Sequence, residues 1–167
     1  MHAGPGRGTD AVSAPRRWPV ISALGVTQIF AWGCSYYLLT VLGPSIAAET
    51  SWPLPWIFGS LTAGMLAAGA VAPLAGRLIG RHGGRPVLAV SSGLFAAGLT
   101  LLAAAPNLPV FGLAWLVIGL GMGSGLYDAA FATLGRLYGA DARPSITALT
   151  LWGGFASTVC WPLSAFL

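Results

Sequence analysis

The chain has 167 residues, of which 56% are apolar and only 7% are charged, and its mean hydropathy is +0.77. An ordinary soluble domain is about 25% charged, so this composition excludes a soluble globular enzyme and a disordered chain. The net charge of +4 rests on eight basic residues, all arginine and in short clusters. They do not form the continuous basic face that a nucleic-acid partner requires, and the composition is that of an integral membrane protein.

The N-terminal segment is rich in Gly, Pro and Arg, which predicts a disordered cytoplasmic tail over 1–19. Arg16 and Arg17 precede an apolar run, as in a signal peptide. That run continues from Val20 to about Leu42, whereas the apolar region of a cleavable signal has only about 7–15 residues. We therefore expect a first helix that stays in the membrane.

Five apolar stretches reach the length of about 20 residues that a helix needs to cross a bilayer. Gly and Pro mark the breaks between them, as they do in turns. In lipid, only helices and closed barrels satisfy the backbone hydrogen bonds of a spanning segment. These stretches are twice as long as barrel strands and do not alternate between apolar and polar residues, so we predict helices. The predicted fold class is an all-α membrane bundle with spans at about 20–45, 54–79, 86–105, 108–135 and 146–167.

The positions of the arginines indicate the orientation of these spans. If the N-terminus is cytoplasmic, the inside segments are the tail, the second break and the fourth break, and these hold all eight arginines. In the first and third breaks the charged residue is Glu49. Cytoplasmic loops carry such an excess of Arg. The pattern predicts a multi-pass protein of the cell membrane with a cytoplasmic N-terminus, and membrane lipids as partners.

The last predicted span runs to Leu167 without a polar residue to close it. We expect from this that the chain is a fragment of a longer transporter.

The second break reads GRLIGRHGGRPVL over 76–88. Gly83 and Gly84 permit a tight turn, and Pro86 suits the first turn of the next helix. The segment resembles the signature loop between the second and third helices of the major facilitator superfamily, G-x-L-a-D-r-x-G-r-r-x-x-L. Gly80 stands where that family usually has Asp, and Gly84 where it often has a basic residue. The matching positions are Gly76, Leu78, Arg81, Gly83, Arg85 and Leu88.

This resemblance implies a secondary transporter of twelve helices in two pseudo-symmetric halves, each a pair of inverted repeats. Residues 20–167 would supply helices one to five. The remaining helices would come from the full-length transporter or from another chain. The resemblance further implies that a small-molecule solute is moved by alternating access, with proton coupling as one option.

Asp128 is the acid inside a predicted span, where a carboxylate near mid-helix costs about 2.5–3.5 kcal/mol. Ser124 lies one turn earlier on the same helical face, with Tyr127 and Phe131 alongside. Asp128 is either a proton-coupling or cation-binding carboxylate in a substrate cavity, or a structural partner of another helix. The resemblance favours the first role, because helices one and four line the central cavity in that family.

Two overlapping GxxxG pairs precede Asp128 in the fourth span: Gly119 with Gly123, and Gly121 with Gly125. Such pairs let a second helix backbone approach closely. We expect these four glycines to be helix-packing positions.

The first span carries polar and aromatic residues at helical spacing, which predicts a common face. An amide and aromatic rings on such a face can orient an organic solute. Alternatively, the aromatic residues serve packing or the membrane interface. With those of the fourth span, the candidate residues for binding a solute or proton are Gln28, Trp32, Tyr36, Ser124, Tyr127 and Asp128.

No cluster of nucleophile and base or of metal ligands is apparent in the sequence, so we expect no enzyme activity, metal or cofactor. Cys34 and Cys160 fall inside predicted spans and are expected to be small buried hydrophobes. Two functions remain open: a fragment of a major-facilitator-like transporter, and a non-transporting five-helix scaffold or accessory protein.

Overall fold

A computed structural model of the chain describes residues 17–166, with side chains described as far as Phe155 and, beyond it, at Thr158 and Pro162. These residues form helices and no strand, which confirms the all-α prediction for this part of the chain. Residues 1–16 of the predicted tail and the side chain of Cys160 lie outside the described residues. The last three residues of the predicted tail, 17–19, are helical.

The described residues begin with one long helical segment of 34 residues, Arg17–Thr50, which we call the first rod. It consists of helix α1 (Arg17–Trp32), a π-helical segment (Gly33–Tyr37) and helix α2 (Leu38–Thr50). The N–H of Leu38 donates to the Gly33 carbonyl, five residues back. Such π segments inside α-helices are rare and are frequent at functional sites.

Helix α3 (Leu54–His82) and helix α4 (Gly84–Ala103) form a hairpin. Gly83 alone separates them, with φ of +90°, which is open to glycine and strained for other residues. The tight turn expected at Gly83 is therefore confirmed.

Helix α5 (Leu108–Gly125) is preceded by its N-cap Asn107, whose Oδ1 accepts the N–H of Val110 at 3.0 Å. The predicted fourth span of 108–135 is not a single helix, because the chain breaks at Leu126 before helix α6 (Tyr127–Tyr138). A 3₁₀ turn over Gly139–Asp141 leads to helix α7 (Ala142–Phe166).

Four stretches of the described residues are long and apolar enough to cross a membrane: Arg17–Thr50, Leu54–His82, Gly84–Ala103 and Leu108–Phe155. Large apolar side chains also stay exposed on the bundle, among them Leu66 at 72% and Trp56 at 66%. A surface of this kind is suited to lipid, and the structure supports a multi-pass membrane protein.

Helix α5 lies between α3 and α4. A Cβ atom added at Gly119 would overlap the backbone of Gly64 on α3, and one at Gly123 would overlap the Ala68 carbonyl. The first GxxxG pair therefore lets α3 and α5 touch through their backbones.

The second pair, Gly121 and Gly125, faces α4. A Cβ atom at Gly125 would overlap the side chain of Ser91, and one at Gly121 would press on Phe95. The four glycines therefore do serve helix packing, on two sides of one helix. At the centre of the bundle, Trp115 and Ile118 of α5 are fully buried with Ile57 of α3.

Candidate functional site

The break at Leu126 changes the backbone hydrogen bonding of the predicted fourth span. Helix α5 ends where the N–H of Leu126 donates to the Met122 carbonyl at 3.0 Å, and Leu126 then adopts an extended conformation with ψ of −165°. In the first turn of helix α6, the N–H groups of Ala129 and Ala130 both donate to the Leu126 carbonyl at 3.1 Å. In an uninterrupted helix Ala129 would bond to Gly125, so the break releases the Gly125 carbonyl.

The side-chain amide of Gln28 on α1 donates a hydrogen bond to this carbonyl. Its Nε2 donates to the Gly125 oxygen at 2.8 Å, although the two residues are 97 positions apart. The Gln28 side chain is fully buried, and its Oε1 accepts no hydrogen bond from the described residues. The N–H group of the amide therefore links α1 to the break, and the amide oxygen can still accept a hydrogen bond from another donor.

A row of four aromatic rings connects the first rod with helix α6. The ring centroids of Trp32 and Tyr36 lie 5.7 Å apart, those of Trp32 and Tyr127 5.5 Å, and those of Tyr127 and Phe131 5.3 Å with the rings stacked. Gly153 of α7 leaves room for the Tyr127 hydroxyl, which a Cβ atom there would overlap. The row thus brings together three of the six candidate residues.

Asp128 lies in the first turn of α6 and is exposed. The sequence predicted a carboxylate near mid-helix, but the break places it at a helix N-terminus, where the helix dipole favours a negative charge. Among the described residues the ion pair is that of Arg17 with Asp141, at 3.6 Å. None of them forms an ion pair with Asp128.

Ser124 and Asp128 lie in different environments, because Ser124 is buried and Asp128 is exposed. The Ser124 hydroxyl is buried and donates to the carbonyls of its own helix at Leu120 and Gly121, at 2.7 and 3.3 Å. It lines the apolar groove between α3 and α4. The extended residue Leu126 interrupts the helical register that the prediction assumed.

The signature loop lies at the end of the bundle where α3 stops. Arg136 of α6, which the sequence analysis did not single out for this role, donates through Nη1 to the carbonyls of Ile79, at 2.9 Å, and of Gly80. The Ile79 carbonyl also accepts the N–H of Gly83 at 2.9 Å, so Arg136 adds a second donor there and supplies a donor to the Gly80 carbonyl in the last turn of α3. Of the six matching loop residues, Leu88 is half-buried, Gly83 forms the turn, and the other four are exposed: Gly76, Leu78, Arg81 and Arg85.

Arg17 joins the start of α1 to this same end. Its guanidinium pairs with Asp141 and lies 5.5 Å from the centre of the Tyr138 ring. One cavity is lined jointly by the first turns of α1, by Arg85 and by Arg136. We call this region, with Arg17, Arg85 and Arg136, the arginine end.

The described residues contain no group of three His, Cys, Asp or Glu side chains that could hold a metal ion. Cys34, which was expected to be buried, is half-buried. No family model, no curated protein and no solved structure matches this chain.

Proposed function

We propose that the chain is part of a secondary transporter of the major facilitator type, which moves a small solute by alternating access. In this proposal α1–α2, α3, α4, α5–α6 and α7 form five membrane spans. The arginine end faces the cytoplasm, as an excess of arginine on one side favours. The second half of the transporter comes from further helices of the full-length protein or from another chain.

The observation that carries the proposal is the contact of Gln28 with the released carbonyl of Gly125. Secondary transporters place their solute and ion sites near the bilayer midplane, at discontinuous helices whose freed backbone groups line a cavity. Non-helical backbone at membrane depth is tolerated where protein or water satisfies it. A break partnered by a buried amide fits this description.

The depth of the break is consistent with such a site. Leu126 lies ten residues before Arg136, and Gln28 eleven residues after Arg17. At the rise of an α-helix both positions are about 15 Å from the arginine end. Half of a hydrocarbon core of about 30 Å is the same distance, so the two residues meet close to the midplane.

The groups around the break suit an organic solute with a cationic or proton-donating part. The exposed carboxylate of Asp128 can accept a proton or pair with a cation, and the Gln28 Oε1 is a hydrogen-bond acceptor that is buried in this structure. The rings of Trp32, Tyr36 and Tyr127 offer apolar surfaces next to these polar atoms. Rocking of this half against its partner half would expose the site to each side of the membrane in turn.

Reconstitution of the full gene product tests the proposal. Proteoliposomes loaded with the pH indicator pyranine are given a hexose, an amino acid, a dicarboxylate and a quaternary ammonium ion in turn. We expect one of these classes to produce a saturable proton flux, which Asp128→Asn abolishes. Glu49→Gln is the matched control, because Glu49 is also an exposed acid but lies at the end of the first rod that is farthest from Arg17.

Two results would contradict the proposal. A proton flux that Asp128→Asn leaves unchanged removes this carboxylate from the mechanism. A correctly inserted wild-type protein that moves no member of the panel, by proton flux or by radiolabel uptake, favours the five-helix scaffold instead.

A further inference from the structure

The arginine end holds a cavity that the solute site does not use. It has a volume of about 590 Å³ and lies between the first turns of α1, the α3–α4 turn and the last turn of α6. This size is in the range of pockets that enclose small organic ligands. Besides Thr133 and the two glycines of the α3–α4 turn, its lining has a basic part and an apolar part.

The basic part consists of Arg85 and Arg136. Arg85 is exposed at the start of α4. A guanidinium carries five N–H donors, and the contacts of Arg136 with α3 use its Nη1. No acid is among the described residues of the lining, and the nearby Asp141 is paired with Arg17.

The apolar part continues from the arginines along the bundle, with Val20 and Leu24 on α1, Leu88 on α4 and Leu137 on α6. Leu24 lies seven residues beyond Arg17, which is about 10 Å by helical rise. The cavity therefore extends from the charged end of the bundle into the depth at which acyl chains begin.

We propose that this cavity binds an anionic phospholipid of the adjacent leaflet. Its phosphate lies between Arg85 and Arg136, because guanidinium groups recognise phosphate through paired N–H donors. Its glycerol and the upper part of one acyl chain lie along Val20, Leu24, Leu88 and Leu137. Basic pockets between membrane helices on the cytoplasmic side are known to hold such headgroups.

Native mass spectrometry of the full protein, released from nanodiscs with equal parts phosphatidylglycerol and phosphatidylcholine, tests the site. We expect retention of phosphatidylglycerol in preference to phosphatidylcholine. Arg85→Gln should weaken that preference about fivefold, the effect of about one basic contact at a membrane surface. Arg81→Gln is the matched control, because it removes the same charge from the same turn, outside the cavity lining, and should change the preference less than twofold.

A second variant tests the apolar wall without changing any charge. Ala23 is exposed and lines the cavity from α1, so Ala23→Phe should fill it and reduce retention of both lipids. Equal losses in Arg81→Gln and Arg85→Gln would overturn the proposal, because they would indicate general attraction to an anionic surface. Displacement of phosphatidylglycerol by millimolar glycerol 3-phosphate would also overturn it, because a soluble phosphate would then suffice.

Discussion

The Nε2 of Gln28 and the carbonyl oxygen of Gly125 form a buried hydrogen bond of 2.8 Å that joins α1 to the end of α5. The bond replaces the helical one that Gly125 loses when Ala129 bonds to Leu126 instead. A buried carbonyl without a partner is costly, so the side chain and the break stabilise each other. The first rod is thereby held at the break between α5 and α6.

Replacement of Gln28 by Leu should therefore destabilise the protein. The substitution keeps an apolar side chain of similar length but leaves the Gly125 carbonyl without its donor. Hydrogen bonds between membrane helices contribute about 0.6–2 kcal/mol, and we expect a loss in this range. Unfolding in mixed micelles of increasing SDS fraction, followed by tryptophan fluorescence, measures it.

Thr27→Val is the control for Gln28→Leu. Thr27 is the exposed neighbour whose hydroxyl bonds within its own helix, to the Ala23 carbonyl at 2.8 Å. We expect it to change the unfolding free energy by less than about 0.5 kcal/mol. Equal effects of the two substitutions would show that the contact with Gly125 contributes nothing.

A second prediction concerns the contact of α5 with α3. Gly119→Ala places a Cβ atom on the backbone of Gly64, which cannot move aside like a flexible side chain. The helices must separate and lose packing along the crossing, at a cost of about 2 kcal/mol or more. The same SDS titration measures the loss.

Gly69→Ala on α3 is the matched control, since a Cβ atom there meets nothing within 4 Å. Alanine favours a helix over glycine by about 1 kcal/mol, so this change should be neutral or stabilising. If Gly119→Ala were as well tolerated as Gly69→Ala, close backbone contact would not hold α3 and α5 together.

Composition and spacing were sufficient for the helical class and for the packing role of the glycines, because these are local patterns. The break at Leu126 was not predictable, since no proline marks it and the neighbouring glycines only weaken the helix. The common face expected for Ser124 and Asp128 assumed an unbroken helix, and the break at Leu126 interrupts that register. The contact of Arg136 with Ile79 spans 57 positions, and no periodicity in the sequence indicates such a partner.

A third prediction follows from that contact. Arg136→Gln removes the side-chain donor to the Gly80 carbonyl and leaves the Ile79 carbonyl with the Gly83 N–H alone, so the last turn of α3 should fray. Hydrogen–deuterium exchange should show faster exchange of the amides of residues 79–83, about tenfold for a loss of about 1.4 kcal/mol. Arg143→Gln is the control, because Arg143 is an exposed arginine at the start of α7. Exchange that is unchanged in Arg136→Gln would contradict the capping role.

A fourth prediction tests the orientation of the spans. Fusions that end at His82 or Asp141 should place a green fluorescent protein in the cytoplasm, where it fluoresces. Fusions that end at Trp52 or Ala105 should give active alkaline phosphatase, which requires the exterior. The physical reason is that all eight arginines then stay on one side of the membrane, where the insertion machinery retains them.

The His82 fusion is the most informative of the four, because α3 ends at His82 and the turn at Gly83 follows directly. Changing Arg77 and Arg81 together to Gln should weaken the retention of this turn and give a mixed population at the same fusion point. The Trp52 fusion ends before both positions, so it reports the orientation of the first rod with the three arginines of the tail alone. Phosphatase activity from the unaltered His82 fusion would place the arginine end outside, and the orientation proposed for both the solute site and the lipid cavity would be wrong.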